Sequence, residues 1–70
     1  GIRVNAVRPG FIDTEIHQSG GEPERMERVR PLVPMKRVGQ AEEVADAIMW
    51  LLSDKASYTT GTILDVSGGR

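Results

Sequence analysis

Apolar and polar positions alternate at the start of the chain: Ile2, Val4 and Ala6 interleave with Arg3 and Asn5, Val7 follows, and Pro9-Gly10 interrupts the run. A period of two with β-branched enrichment predicts a strand over residues 2–7. The clearest periodic signal comes later, where Ala41, Val44, Ala45, Ile48, Leu51 and Leu52 recur at three- and four-residue spacings. These positions form one apolar stripe and predict a helix over 41–53. Glu42 and Glu43 stand in its first turn, where the helix dipole favours anions. Gly61 then opens Thr62-Ile63-Leu64-Asp65-Val66, a short β-rich run closed by Ser67-Gly68-Gly69, which predicts a strand over 62–66.

Between the first strand and the long helix the pattern is broken by Gly20-Gly21 and by Pro23, Pro31 and Pro34. One short helix is expected there, from about residue 23 to 29. Pro23 suits a first helical position, Glu24 and Arg28 are four apart, and Pro31 discourages helix at Arg30. A connection this long is uncommon in a compact domain unless it is an active-site lid, a binding loop or a disordered stretch.

Strand, excursion, helix and strand spell a β-α-β unit, whose two strands run parallel with a right-handed crossover. Parallel strands are buried on both faces and need neighbours on both sides, which two strands and one principal helix do not supply. The fold class is therefore α/β, a fragment of a doubly wound, Rossmann-type parallel sheet. Size agrees: 70 residues with 39% hydrophobic content make at most one domain, and a domain this small buries only about 60% of its unfolded surface. Small chains that stand alone usually add disulfides, a metal or a partner. With no cysteine and one histidine, His17, a disulfide and a metal are both set aside, leaving a partner or a missing remainder of the fold. The direct entry from Gly1 into a strand reads as a chain cut rather than begun.

Nine basic and ten acidic side chains give a net charge of −1. Such a balance offers no polycationic surface for nucleic acid. The longest apolar run, Ala47 to Leu52, falls far short of the roughly 20 residues of a membrane span, and no signal peptide precedes it. A cytoplasmic protein that meets neither nucleic acid nor membrane is expected.

In open α/β sheets the ligand crevice lies beyond the carboxyl ends of the strands. That rule places Arg8-Pro9-Gly10-Phe11-Ile12-Asp13-Thr14, and Ser67-Gly68-Gly69 after the second strand, at one functional rim. Pro9 fixes a backbone dihedral, Gly10 removes a side chain so that main chain can approach a planar ligand, and Thr14 offers a hydroxyl that donates and accepts. The same residues also suit an ordinary turn. Trp50 lies off the centre of the helical stripe and is expected to cover an adjoining element or a subunit contact. Tyr58 has Thr62, not lysine, four residues after it, and reads as structural.

Taken together, these strings resemble one family. Gly1 to Thr14 is similar to the sixth strand and Pro-Gly motif of short-chain dehydrogenases/reductases. Met35-Lys36-Arg37-Val38-Gly39-Gln40-Ala41-Glu42-Glu43-Val44-Ala45 resembles that family's entry to its last long helix, and Trp50-Leu51-Leu52-Ser53-Asp54 its exit. Tyr58 to Gly61, through Val66-Ser67-Gly68-Gly69, resembles the approach to and close of the seventh strand. Two departures stand out: the family often has proline where Ala41 stands and aspartate where Ser67 stands.

The resemblance implies that residues 1–70 are the C-terminal part of a single Rossmann-type dinucleotide-binding domain, with its N-terminal part missing. It implies a parent enzyme that uses NAD or NADP on alcohol or carbonyl substrates and assembles as a homodimer or homotetramer, with the last helix and strand near a subunit interface. Pro9 and Gly10 would line the nicotinamide side, Ile12 would pair its backbone with the carboxamide, and Thr14 would contact the carboxamide or pyrophosphate. Residues 15–35 would form the substrate-loop region. His17, Arg25 and Arg28 could reach substrate there, although a solvated, salt-paired loop is the reading preferred for each. The T-G-x-x-x-G-x-G turn, the catalytic serine and the Y-x-x-x-K pair have no counterpart, so no catalytic residue is assigned and the 70 residues alone are expected to be inactive. Two other readings stay open: an association module that docks through the amphipathic helix, and a truncation product without function.

Overall fold

A computed structural model describes residues 1–13 and 27–70. Within them the chain forms β1 (Ala6–Pro9), β2 (Ile12–Asp13), a 3-10 helix (Arg30–Leu32), β3 (Gly39–Gln40), α1 (Ala41–Leu52), a second 3-10 helix (Asp54–Ala56) and β4 (Ile63–Val66). β1 and β4 pair in parallel in the register Ala6↔Ile63 to Pro9↔Val66, and β2 pairs in parallel with β3, Ile12 opposite Gly39. The two strands expected from the alternation thus lie side by side.

The first strand begins at Ala6, not residue 2, and continues through Pro9 instead of stopping before it. Both differences have a physical cause. Ala6 N donates to Thr62 O and Gly10 N to Val66 O, each at 3.0 Å. Donors toward one neighbour alternate along a strand, so the N–H that Pro9 lacks would face away from β4. Upstream, one backbone bond, from Gly61 N to Val4 O at 2.8 Å, is joined by side-chain bonds. Val4 N donates to Thr60 Oγ1 at 3.1 Å, Asn5 Nδ2 donates to Thr59 O at 3.0 Å, and Asn5 Oδ1 accepts from Thr62 N at 3.1 Å. The extended conformation read from the alternation is used, but the partner is a loop.

Helix α1 ends at Leu52, one residue earlier than expected, because Ser53 caps it: Ser53 Oγ donates to Trp50 O at 2.6 Å. Arg3 completes that end. Its Nη1 donates to Leu51 O at 2.8 Å and Thr59 O at 3.3 Å, and its Nη2 to Ser53 O at 3.3 Å. A guanidinium fork on the last carbonyls satisfies orphaned acceptors and opposes the negative end of the helix dipole. β4 starts at Ile63 and not at residue 62. Of the short helix expected at about 23–29, residues 27–29 are helical and the others lie outside the described residues. Pro31 does not stop the chain there; it enters the first turn of a 3-10 helix.

Burial is sparse. Among the described residues the buried hydrophobic positions are Val33, Leu51 and Ala56, at 2%, 7% and 1% exposure. The stripe on α1 is not covered as expected: Leu51 is buried and Val44 partly so, while Ala41, Ala45, Ile48 and Leu52 are exposed. Trp50, expected to pack, remains 45% exposed, and Tyr58 is wholly exposed. Among the described residues α1 packs only on the edges of two short two-stranded sheets and on the 3-10 helix that follows it, which together form one thin layer. Exposed apolar surface of this extent is what larger assemblies cover. No helix among the described residues is long and apolar enough to cross a membrane.

Replacing Arg3 by Ala should lower the stability of the intact protein by about 1.5–3 kcal/mol, the range for lost charge-assisted hydrogen bonds. Arg3→Lys should recover only part of it, because an ammonium cannot serve the three carbonyls as a planar fork does. Urea titration of the two variants reads the difference; equal stability of Arg3→Ala and the parent would remove the clamp from this account.

Candidate functional site

β1 and β4 end together, and the turns that leave them touch. An added Cβ on Gly10 would stand 2.8 Å from Ser67 Cβ and 2.9 Å from Ser67 Cα, closer than carbon atoms approach. Glycine at position 10 is therefore required by contact with the neighbouring strand's exit, not by backbone conformation. Gly39 is less constrained: a Cβ there would meet only the terminal Ile12 Cδ1, at 2.9 Å, which a change of side-chain rotamer can relieve. Phe11 carries the Arg70 guanidinium over its ring at 5.2 Å to the centroid. Such a cation–π contact contributes about 0.5–1 kcal/mol at an exposed site.

Among the described residues three grooves border this turn, one of them, of about 360 Å³, lined by Arg8, Phe11, Asp65 and Arg70. Another, of about 440 Å³, is apolar and lies between Pro9, Gly10 and Ile12 on one side and Val44, Ala45 and Ile48 of α1 on the other. The third, of about 230 Å³, runs between Phe11, Ile12, Met35, Arg37, Asp65 and Ser67. The segment Pro9–Ile12 is thus a wall shared by an apolar groove and a mixed one.

Charges at the rim are paired. Arg8 and Asp65, opposite each other in register, form a two-point pair whose longer contact is 3.1 Å. The hydrogen bonds from Arg8 hold the Asp65 carboxyl below its ordinary range. Both side chains are more than half exposed, so the pair sets local charge more than stability. Arg37 grips Glu43 with two bonds of 2.8 and 2.9 Å. Glu43 also accepts from Gln40 N at 3.0 Å, the return half of a capping box at the start of α1. The Arg37 bonds first, and the Gln40 amide second, lower the Glu43 carboxyl to about 2 from an ordinary 4.5. The end of the long excursion is thereby fastened to the helix that follows it.

Of the residues expected to form a cofactor site, Pro9, Gly10 and Ile12 come together at the rim, beside Ser67. Thr14, His17 and Arg25 lie outside the described residues, and Arg28 is exposed on the short helical turn. Two features were not anticipated. The Arg37–Glu43 clamp had a readable signal in Gln40-x-x-Glu43 ahead of an apolar run. The contact of Val33 with Gly68 joins positions too far apart in sequence for any local pattern to show it.

A family model described as enoyl-(acyl carrier protein) reductase matches residues 1–70. The chain belongs to the short-chain dehydrogenase/reductase family. It is 69% identical over 70 residues to the uncharacterized oxidoreductase YgfF of Escherichia coli, covering 100% of this chain and 28% of that protein. Among solved structures, a 3-oxoacyl-[acyl-carrier protein] reductase with bound NAD from Brucella melitensis superposes with a TM-score of 0.81 at 45% identity, covering 96% of this chain and 23% of that one. A small-chain dehydrogenase in complex with NADPH superposes with a TM-score of 0.82 at 35% identity, covering 97% and 32%. The chain thus spans about a quarter to a third of the relatives it matches. The coarse expectation of a Rossmann-type parallel α/β fold holds for this family member. The narrower one, a C-terminal segment running from the sixth to the seventh strand, is withdrawn: the matches embrace residues 1–70 as a whole and establish membership without establishing that placement.

The lowered carboxyl of Glu43 makes a signed prediction. A group whose folded pKa lies below its unfolded value stabilises the fold above about pH 4.5 and loses that contribution as pH falls toward 2. Glu43→Gln should therefore lower stability near neutral pH, and the gap to the parent should close between those two values. Denaturation midpoints taken across that window test it, and a gap that persists unchanged at the acid end would assign the loss to packing instead.

Proposed function

We propose that the intact protein is an NAD(P)-dependent oxidoreductase of alcohol or carbonyl compounds, and that this chain supplies the nicotinamide-side wall of its site. Pro9, Gly10 and Ile12 form that wall, and Thr14 joins them by its place in the same sequence motif. The observation that carries the reading is the meeting of two parallel strand exits at Gly10 and Ser67, which leaves the Pro9–Ile12 turn bordering an apolar groove. A groove of about 440 Å³ falls in the usual size range of small-molecule sites, and its apolar lining suits the face of a flat ring. Relatives with bound NAD and with NADPH support either dinucleotide.

A nicotinamide, when bound, supplies the hydride donor or acceptor. The residues of this chain do the supporting work: Pro9 and Ile12 keep water from one side of the ring, and Gly10 lets the backbone come close to it. Residues 1–70 would be part of one dinucleotide-binding domain, with 15–35 as its substrate-loop region. The exposed face of α1 with Trp50 and Met49 suits a subunit contact in a homodimer or homotetramer.

The test uses the intact protein, a panel of alcohols and carbonyl compounds, and the absorbance of reduced nicotinamide. Turnover is expected, and Thr14→Val should weaken dinucleotide binding about tenfold, the equivalent of one lost hydrogen bond. Gly10→Ala should weaken it further by pushing the turn off Ser67. Absence of both dinucleotide binding and turnover in the unsubstituted protein would overturn the reading.

A further inference from the structure

The turn after β4 is shaped to receive another part of the chain. Gly68 and Gly69 hold φ of +66° and +101°, a region that side-chain-bearing residues rarely adopt. A Cβ on Gly68 would stand 2.8 Å from Val33 Cγ1, and one on Gly69 would stand 3.0 Å from Pro34 Cβ. Val33 is 2% exposed although it belongs to the long excursion and not to a strand or to α1. The main chain joins the same contact, since Met35 N donates to Gly68 O at 3.1 Å.

The segment that docks there is braced within itself. Val33 N donates to Arg30 O at 3.1 Å, Lys36 N donates to Val33 O at 2.8 Å, and Lys36 Nζ donates to Pro31 O at 3.1 Å. Lys36 also holds φ of +62°. A lysine stays in that conformation only where its surroundings impose it. Residues 30–36 thus behave as one unit, held to the turn after β4 through Val33, Pro34 and Met35 and followed by Arg37, which is tied to α1 through Glu43. The unit carries Met35, and Arg37 follows at once; both line the 230 Å³ groove beside Phe11 and Ile12.

We infer that Gly68 is a positioning residue: through its contact with Val33 it sets where Met35 and Arg37 stand, and so sets the substrate side of the site. The inference rests on the functional reading above for the word substrate, and on the described contacts alone for the anchor. Gly68 touches no reacting atom. Its effect passes through Val33 and through the bond its carbonyl accepts from Met35 N.

The experiment takes the intact protein with Gly68→Ala, Val33→Ala and the double substitution. Hydrogen exchange reads the anchor. In Gly68→Ala the amides of Val33, Met35 and Lys36 should exchange about tenfold faster or more, as a local opening does, while Ala6 and Gly10 keep their protection. Steady-state kinetics read the role: substrate KM should rise about tenfold with kcat and dinucleotide Kd within about twofold, the pattern of a binding surface displaced without loss of the reacting geometry. Adding Val33→Ala removes the Cγ1 that the new methyl strikes and should restore part of both effects. Should Gly68→Ala not fold, Val33→Ala alone, which strains no backbone, should shift exchange and KM in the same direction by about threefold. Unchanged exchange at residues 33–36 overturns the inference, as does a parallel rise of KM and dinucleotide Kd. An unsubstituted protein that binds no dinucleotide overturns the functional reading instead, and the exchange result still decides the anchor.

Discussion

The pairing of β1 with β4 is the constraint from which the other features follow. Two strands 54 or more residues apart in sequence are aligned in parallel from Ala6↔Ile63 to Pro9↔Val66, so that both leave the sheet at one end. A slip of one residue would turn every side chain to the opposite face and carry Gly10 away from Ser67. The register is held from both ends. Gly10 N reaches Val66 O at the rim, while Asn5 and Val4 fasten to the Thr59–Thr62 approach at the other end. The cross-strand Arg8–Asp65 pair adds a matching charge at the third position of the ladder, weak in energy but directional.

Much of the fold was legible because its signals are local. Helix α1 announced itself by an apolar stripe and acidic first turn, and its observed start at Ala41 agrees; only its end moved, because a serine that continues the pattern also caps it. β4 was bracketed by glycines. The first strand was misplaced for an instructive reason. Alternation shows that a stretch is extended, but it cannot tell a ladder from a run of side-chain bonds, and Arg3 and Asn5 make the latter. Proline was read as a stop, whereas at Pro9 the missing donor falls on the side away from β4, where the ladder does not need it.

The site divides along the same line. Pro9, Gly10 and Ile12 could be placed at the rim from strand direction alone, since the carboxyl ends of parallel strands must share an edge. What brings the return of the excursion to that rim could not. Val33 against Gly68 is a tertiary contact between a half-hydrophobic loop and a glycine turn, and neither has a pattern that names the other. The glycines looked like strand punctuation, which they are, but their positive φ and missing side chains also make room for Val33 and Pro34.

Burial points to where the remaining stabilisation must come from. Among the described residues, three buried hydrophobic positions, against Ile2, Val4, Met49, Leu52 and Ile63 at 60% exposure or more, do not offset the conformational entropy of ordering those residues. The ion pairs Arg8–Asp65 and Arg37–Glu43 do not close the gap, because they are about half exposed and weak. The exposed faces of β1 and β4 therefore make sense as interior surface, completed by more of the same fold, which agrees with a chain that spans a quarter to a third of its relatives. The local devices found here, the Arg3 clamp, the Asn5 bridge and the Arg37–Glu43 fork, then have a specific task. They fix the direction of elements whose hydrophobic faces are buried by other parts of the protein, so that the rim at Gly10 and Ser67 is in register when that burial occurs.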